Sequence, residues 1–164
     1  MGLSGRVLRV HVKPSTPGEP GLPKRAVPSA RLTAEGFDGD FNRYRQESKA
    51  GSPGMAVLLM PAETLTELRA LGWPIQPGDI GENITTEGLA YAGFAVGRRF
   101  KVGGAALEIS EPCAPCKTLG HLPFVGKEKI TEFTKVMLGR RGWYARVIEE
   151  GLVSEGDAIT CLRS

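Results

Sequence analysis

Glycine and proline constrain the fold of this chain more than any other residue types. Of its 164 residues, 22 are glycine and 12 are proline, so about a fifth of the chain interrupts regular structure. The usual share of these two residues is roughly 12%, and a helical bundle does not tolerate so many helix breakers. No Gly-X-Y period is present, which excludes collagen. We therefore expect short elements joined by many turns, in a mainly β fold.

Composition and charge narrow the class of protein further. Hydrophobic residues make up 41% of the chain and charged residues 24%, which is typical of a folded domain. At roughly 150 residues per domain, the length predicts a single domain over 1–164. The net charge of +3 is too small to indicate nucleic-acid binding. Because the sequence has neither a membrane-length apolar run nor a signal-peptide pattern in residues 1–6, we expect a cytoplasmic protein with no membrane partner.

Hydrophobic periodicity predicts where the elements lie. A first helix is predicted from Pro61 to a stop at Gly72, with Leu65, Leu68 and Leu71 on one face, and a second over 126–138. Because strands outnumber helices, we expect a mixed, mainly antiparallel sheet closed into a β-barrel with peripheral helices. Residues 13–24, with proline at every third position, are expected to form an extended surface loop. The predicted strands are 5–12, 26–37, 55–60, 95–100, 105–110, 143–148 and 158–162.

Two of the three cysteines lie in the segment Glu111-Pro-Cys-Ala-Pro-Cys-Lys117. The segment follows a predicted strand and precedes a stretch that could start a helix. Unpaired backbone N–H groups at a helix start favour a thiolate, and the charge of Lys117 acts in the same direction. Three cysteines, an odd number, argue against a disulfide framework.

Four interpretations of Cys113 and Cys116 remain open on the residues alone. The pattern Cys-x-Pro-Cys-Lys is that of a thioredoxin-like redox pair, although no βαβ pattern surrounds it. A zinc half-site needs further ligands, and only Cys161, His11 and His121 remain, at no ligand spacing. The third interpretation is a pair of buried structural cysteines. The fourth is one ligand thiolate, Cys116, for a soft metal or a carried sulfur.

Two further segments combine polar side chains with glycines. Pro77-Gly-Asp-Ile-Gly-Glu-Asn-Ile-Thr85 brings Asp79, Glu82 and Asn83 together, either to bind a ligand or to hydrogen-bond the loop itself. Gly139-Arg-Arg-Gly-Trp-Tyr-Ala-Arg-Val147 places two arginines at the entry to a predicted strand. Such a pair could clamp a phosphate or lie in a solvated turn. The residue types alone leave both choices open.

Together these segments resemble stand-alone bacterial members of the MOSC family, named after the C-terminal domain of molybdenum-cofactor sulfurase. The resemblance starts at LPKRAV, residues 22–27, and reaches Gly156-Asp157. It implies a closed β-barrel with one functional cysteine, which falls on Cys116. The segments that carry it are Gly39-Asp40, PGDIGENITTEGL at 77–89, PCAPC at 112–116 and GRRGWYARVIEEG at 139–151.

The resemblance also implies a site for molybdenum cofactor, in which molybdopterin holds the metal. Cys116 would be the catalytic residue and the metal ligand, or would carry sulfur for the cofactor. Lys24 and Arg140 match basic positions that would hold the pterin phosphate. The full set of implied cofactor-binding residues is Lys24, Asp79, Gly81, Glu82, Asn83 and Arg140.

Two functions of different kinds follow from this resemblance. The first is an enzyme that reduces N-hydroxylated or related N-oxygenated compounds with electrons from a separate donor protein. The second is a non-catalytic sulfur carrier or cofactor-delivery module with a persulfide on Cys116. A sulfur-donor protein would then be needed, since 164 residues leave no room for a pyridoxal-phosphate domain. A thioredoxin-like disulfide reductase is the third hypothesis.

Overall fold

The computed structural model describes residues 3–163, and at 43, 44 and 48 the backbone alone. Residues 1, 2 and 164 of the predicted domain lie outside this range. The helices are α1 (Arg43–Ser48), α2 (Ala62–Ala70) and α3 (Gly126–Met137), with 3-10 helices at Pro53–Met55, Tyr91–Gly93 and Lys117–His121. The strands are β1 (Ser4–Val12), β2 (Arg25–Val27), β3 (Ser29–Thr33), β4 (Gly36–Phe37), β5 (Val57–Pro61), β6 (Ile84–Glu87), β7 (Arg99–Val102), β8 (Ala105–Pro112), β9 (Trp143–Glu149), β10 (Gly151–Ser154) and β11 (Ala158–Cys161).

Seven strands close into a β-barrel. Their order around the barrel is β1, β6, β5, β9, β8, β7 and β11, and β11 pairs with β1 to complete the circuit. The β5–β6 pair is parallel, with α2 in the connection, whereas the other neighbouring pairs of the barrel are antiparallel. The predicted mixed, mainly antiparallel barrel with peripheral helices is therefore confirmed.

The two larger of three apolar clusters within the described residues stabilise this architecture. The first fills the barrel with side chains such as Val10, Ile84 and Leu107, all essentially inaccessible to solvent. The second packs α2 and α3 outside the barrel, where the ring centroids of Trp73 and Phe133 lie 4.7 Å apart. Burial of this apolar surface is the main force that holds the helices against the barrel.

Several predicted elements differ in detail from those observed. The predicted strand 26–37 is divided into β2, β3 and β4, because Pro28 lacks an N–H group and a turn follows Thr33. The helix from Pro61 ends at Ala70, so Leu71 is 57% exposed and not on the buried face. Helix α1 and strand β10 were not predicted.

Helix α1 is held by tertiary contacts. The side chain of Asn42 accepts a hydrogen bond from the backbone N–H of Arg45 at 3.0 Å and caps the helix. The Arg45 side chain is buried and donates to the carbonyl groups of Ser52 and Glu35. These partners, which lie outside the helix, fix α1 against the barrel. None of the helices within residues 3–163 is long and apolar enough to cross a membrane.

Candidate functional site

A cleft of about 460 Å³ brings together most of the segments singled out in the sequence. The walls come mainly from five parts of the chain. These are residues 21–24 before β2, residues 41–42 before α1, residues 80–81, the end of β8 with the segment that follows it (111–118), and Arg141 with Tyr144 at β9. The loop 13–24 was predicted to lie on the surface. Its last part instead forms a wall of the cleft, where Leu22 and Lys24 are buried.

The two neighbouring thiols differ in accessibility. Cys116 is exposed and precedes the 3-10 helix Lys117–His121, which confirms a helical turn at this point. Cys113 is buried on the same wall, and its backbone N–H donates to the carbonyl of Gly142 at 2.8 Å. Both thiols are free. Both residues line the cleft, and Cys116 is the more accessible of the two.

Cys113 lies in a pocket that favours the neutral thiol. Burial raises the pKa of Cys113, while the nearby Arg141 guanidinium and a hydrogen bond from the Tyr144 hydroxyl partly oppose this effect. Burial, followed by the charge of Cys113, raises the pKa of Tyr144 well above its ordinary value. At neutral pH this side of the cleft therefore carries an uncharged thiol and an uncharged phenol.

A buried ion pair contributes Lys24 to the lining of the same cleft. The Nζ atom of Lys24 is 2.8 Å from Oδ2 of Asp40, and both side chains are almost inaccessible, at 4% and 5%. The same oxygen accepts a hydrogen bond from Nδ2 of Asn83 at 2.8 Å. Burial lowers the pKa of Lys24, and the carboxylate of Asp40 opposes that effect. Asp40 was not among the predicted site residues, although its Gly-Asp motif contributes to the resemblance.

Arg141 is the second buried cation of the cleft. It is 5% exposed, and its Nε and Nη1 atoms have no hydrogen-bond partner among the described residues. Buried guanidinium donors are normally satisfied, so an unpaired set on a cleft wall indicates a place for an anion. The acidic groups whose charges act on it are Cys113, Tyr144, Cys116 and Glu82.

Arg140, the predicted phosphate ligand, is not part of the cleft lining. Its Nη1 atom donates to the carbonyl of Val136 at 3.1 Å, near the end of α3. The geometry therefore favours Arg141, its neighbour in the sequence, for that role. Sequence reasoning could not separate two adjacent arginines, because only the path of the backbone into β9 decides which one faces the cleft.

Most polar side chains of the loop 77–83 support the wall of the cleft and do not line it. Gly81 lines the cleft with a φ of +84°, a conformation that suits glycine. Asp79 accepts a hydrogen bond from the backbone N–H of Gln76 at 2.9 Å and so closes its own loop. Asn83 accepts from the backbone N–H of Leu58 at 3.1 Å, in addition to its bond to Asp40. Asp79 and Asn83 thus shape the walls without lining the cleft.

Glu82 is fully buried next to these groups. Its Oε2 atom accepts a hydrogen bond from the Thr85 hydroxyl at 2.9 Å, whereas Oε1 has no partner among the described residues. Burial raises the pKa of Glu82 to about 7. The carboxyl group therefore exchanges its proton near neutral pH.

The zinc and thioredoxin interpretations can be compared with this geometry. No group of three or more His, Cys, Asp or Glu side chains that could hold a metal ion occurs within residues 3–163. The closed barrel also differs from the βαβ arrangement that a thioredoxin-like protein requires. The third interpretation, a buried structural cysteine, fits Cys113 but not the exposed Cys116.

The barrel and its thiol-bearing cleft define a MOSC protein. The family model of the MOSC domain matches residues 46–160, so the chain belongs to the MOSC family. It is 34% identical over 146 residues to YflK of Bacillus subtilis, and this alignment covers 88% of this chain and 64% of YflK. It is 33% identical over 135 residues to YiiM of Escherichia coli, covering 75% of this chain and 54% of that protein. The chain thus spans less than two thirds of either relative.

Solved structures confirm the fold. YuaD from Bacillus subtilis superimposes with a TM-score of 0.79 over 99% of both chains, at 18% sequence identity. YiiM from Geobacillus stearothermophilus superimposes with a TM-score of 0.73, at 23% identity, over 97% of this chain and 75% of that one. At such identities the agreement concerns the architecture alone.

Proposed function

We propose that this MOSC domain binds molybdenum cofactor in the cleft, with Cys116 as metal ligand, and reduces N-hydroxylated or related N-oxygenated compounds. The observation that carries the proposal is an exposed thiol and a buried guanidinium, with two unpaired nitrogens, on the walls of one cleft. Thiolates are suited to soft metal centres, and guanidinium groups to phosphate. The volume of about 460 Å³ lies within the range of roughly 300–1,000 Å³ found for ligand sites.

The charged and apolar groups in and behind the cleft wall have separate parts in this proposal. Asp40 balances the charge of Lys24, so Arg141 supplies the uncompensated positive charge for the phosphate. Glu82 remains protonated below about pH 7 and then does not cancel that charge. The apolar side chains of Phe41 and Met55 limit the access of water.

The reduction itself needs a cofactor and a partner. When bound, molybdenum cofactor supplies the two-electron chemistry for cleaving an N–O bond. We propose a separate electron-donor protein as the source of those electrons. The three free cysteines agree with a reducing compartment, and we propose a cytoplasmic location on that basis.

Molybdenum content tests the proposal directly. Cys116→Ser, produced in a molybdenum-replete host, is expected to lose at least nine tenths of the metal bound by the wild type, because a hydroxyl is a poor substitute for a soft thiolate. Elemental analysis of the purified proteins measures this. Cys161→Ser, which removes a thiol from β11, is the matched control and should retain its molybdenum. Equal metal content in wild type and Cys116→Ser would contradict the proposal.

The two neighbouring arginines offer a second test. Arg141→Gln is expected to lower the pterin content of the purified protein at least tenfold, because it removes the unpaired cation of the cleft. Arg140→Gln removes an equal charge one residue away and should leave the pterin content within twofold of the wild type. Fluorescence of the released, oxidised pterin gives the content. Equal losses of pterin in both variants would contradict a specific role for Arg141, since the net charge alone would then explain them.

A sulfur carrier is the second candidate function, and the exposure of Cys116 favours it as well. An exposed thiol can receive and pass on a sulfur atom, whereas Cys113 is too buried to meet a donor protein. Intact mass measurement of freshly isolated protein distinguishes the two functions. An additional sulfur on Cys116 without bound molybdenum favours the carrier, and molybdenum without additional sulfur favours the reductase.

A further inference from the structure

We propose that Cys113 is a resolving thiol for Cys116. After a peroxide has oxidised Cys116 to a sulfenic acid, the Cys113 sulfur attacks it and closes an intramolecular disulfide across the wall of the cleft. The inference concerns the protein without cofactor and does not depend on the proposed reductase function. It assigns a role to the buried thiol, which that function leaves unused.

The positions of the two thiols carry this proposal. Both line the cleft, and Ala114 and Pro115 are the residues between them. Each end of this segment is held: the N–H of Cys113 donates to Gly142, and the carbonyl of Cys116 accepts from Leu119 at 3.2 Å. The segment is thus fixed where it joins the barrel and the 3-10 helix, with both sulfur-bearing residues on one wall.

The backbone between the thiols has room to adjust. Ala114 and Pro115 lie between β8 and the 3-10 helix, in neither element, and take part in no backbone–backbone hydrogen bond among the described residues. A disulfide needs its two Cβ atoms about 4 Å apart. Rotation within residues 113–116 can change this distance while the pairing of β8, which ends at Pro112, is kept.

Unequal burial assigns the order of events. Cys116 is exposed and meets a peroxide first, whereas Cys113 is 9% exposed and shielded from direct oxidation. Cys113 is three residues from Cys116 on the same wall of the cleft, whereas Cys161 lies 45 residues away in β11. Cys113 is therefore the thiol placed to meet a sulfenic acid on Cys116.

The two steps balance in atoms and electrons. The Cys116 thiolate attacks hydrogen peroxide, an S–O bond forms, the O–O bond breaks, and the departing hydroxide takes up a proton as water. The Cys113 sulfur then attacks the sulfenic sulfur, an S–S bond forms, and the S–O bond breaks. The leaving hydroxide takes the proton of Cys113 as a second water. The two thiols together lose two electrons to the peroxide, and a dithiol reductant reverses the change.

Limited oxidation of the purified chain tests this inference. The 164-residue chain, without added molybdenum, is treated with one equivalent of hydrogen peroxide, alkylated, and analysed by intact mass and peptide mapping. We expect the wild type to lose two alkylatable thiols and to show one peptide with an internal disulfide between Cys113 and Cys116. Dithiothreitol should restore both thiols. Cys161→Ser, the control, should behave like the wild type.

Variants of the buried cysteine provide the decisive comparison. In Cys113→Ser and Cys113→Ala, we expect irreversible sulfinic and sulfonic acid on Cys116 to rise at least fivefold over the wild type at equal peroxide. Thermal melts identify which of the two variants is folded, and that one is compared. The inference is overturned if Cys116 over-oxidises equally with and without Cys113. It is also overturned if the disulfide that forms involves Cys161 or a second chain.

Discussion

Replacing Asp40 by asparagine is expected to lower the free energy of unfolding by about 3 kcal/mol, because it leaves the buried ammonium of Lys24 without its counter-ion. The desolvation of Lys24 remains in the variant, while the compensating attraction is lost. Asparagine also disturbs the hydrogen bond from Asn83, since its amide has one oxygen instead of two. Urea denaturation of wild type and variant at pH 7 measures the difference.

An exposed ion pair serves as the control for Asp40→Asn. Arg6 and Glu87 form a contact of 2.6 Å with side chains 59% and 40% exposed, so Glu87→Gln makes the same kind of change in water. There we expect a loss of less than about 1 kcal/mol. Adding Lys24→Met to Asp40→Asn should recover part of the loss, because the unpaired charge is then gone. Equal losses at Asp40 and Glu87 would contradict a stabilising role for the buried pair.

Glu82→Gln is expected to change how stability depends on pH. Burial raises the pKa of Glu82 from 4.5 to about 7 in the folded chain, so folding favours the protonated carboxyl. Its contribution to stability is therefore fully present below about pH 4.5 and is lost as the pH rises through about 7. At roughly 1.4 kcal/mol per pKa unit, the contribution amounts to about 3 kcal/mol.

The free energy of unfolding of variant and wild type, followed as a function of pH, shows whether the pKa of Glu82 is raised. Between pH 4.5 and 8, glutamine should gain about 3 kcal/mol relative to glutamate, because it does not ionise. Denaturant unfolding at a series of pH values gives both curves. Parallel curves over this range would show that Glu82 titrates normally.

The contribution of His11 to stability depends on pH with the opposite sign. It cancels when the curves of wild type and Glu82→Gln are compared. Burial, followed by the charges of Arg9 and Lys24, lowers the pKa of His11 to about 4. The folded chain therefore prefers the neutral imidazole. This contribution to stability is present above about pH 6.5 and is lost as the pH falls through about 4. Both proteins contain His11, so it affects their two curves equally.

The barrel could be predicted because its signals are local. Runs of alternating apolar residues set most of the strands, and glycine and proline set the turns between them. Helix α1 lacks such a signal, since the cap from Asn42 and the bonds of Arg45 to Ser52 and Glu35 hold it in place. Strand β10 is equally inconspicuous: of its four residues, Val153 alone is buried.

The choice between Arg140 and Arg141 shows where local reasoning ends. Both residues have the same charge and lie next to each other, so composition and motif treat them alike. Gly142 has a φ of +109°, and a Cβ atom there would lie 2.7 Å from the carbonyl oxygen of Leu59. This close approach to β5 fixes how the chain enters β9 and which arginine faces the cleft.

By itself, the sequence determined the class of fold, the family segments and the cysteine pair, because hydrophobic period, turn preference and motif are properties of neighbouring residues. Only the tertiary structure decided which charges meet. Lys24, Asp40 and Asn83 are far apart in the chain and join in one buried network. Burial in the folded chain then raises the pKa values of Glu82 and Cys113. The same packing leaves Cys116 exposed. Desolvation depends on everything that packs around a group, which no single segment specifies.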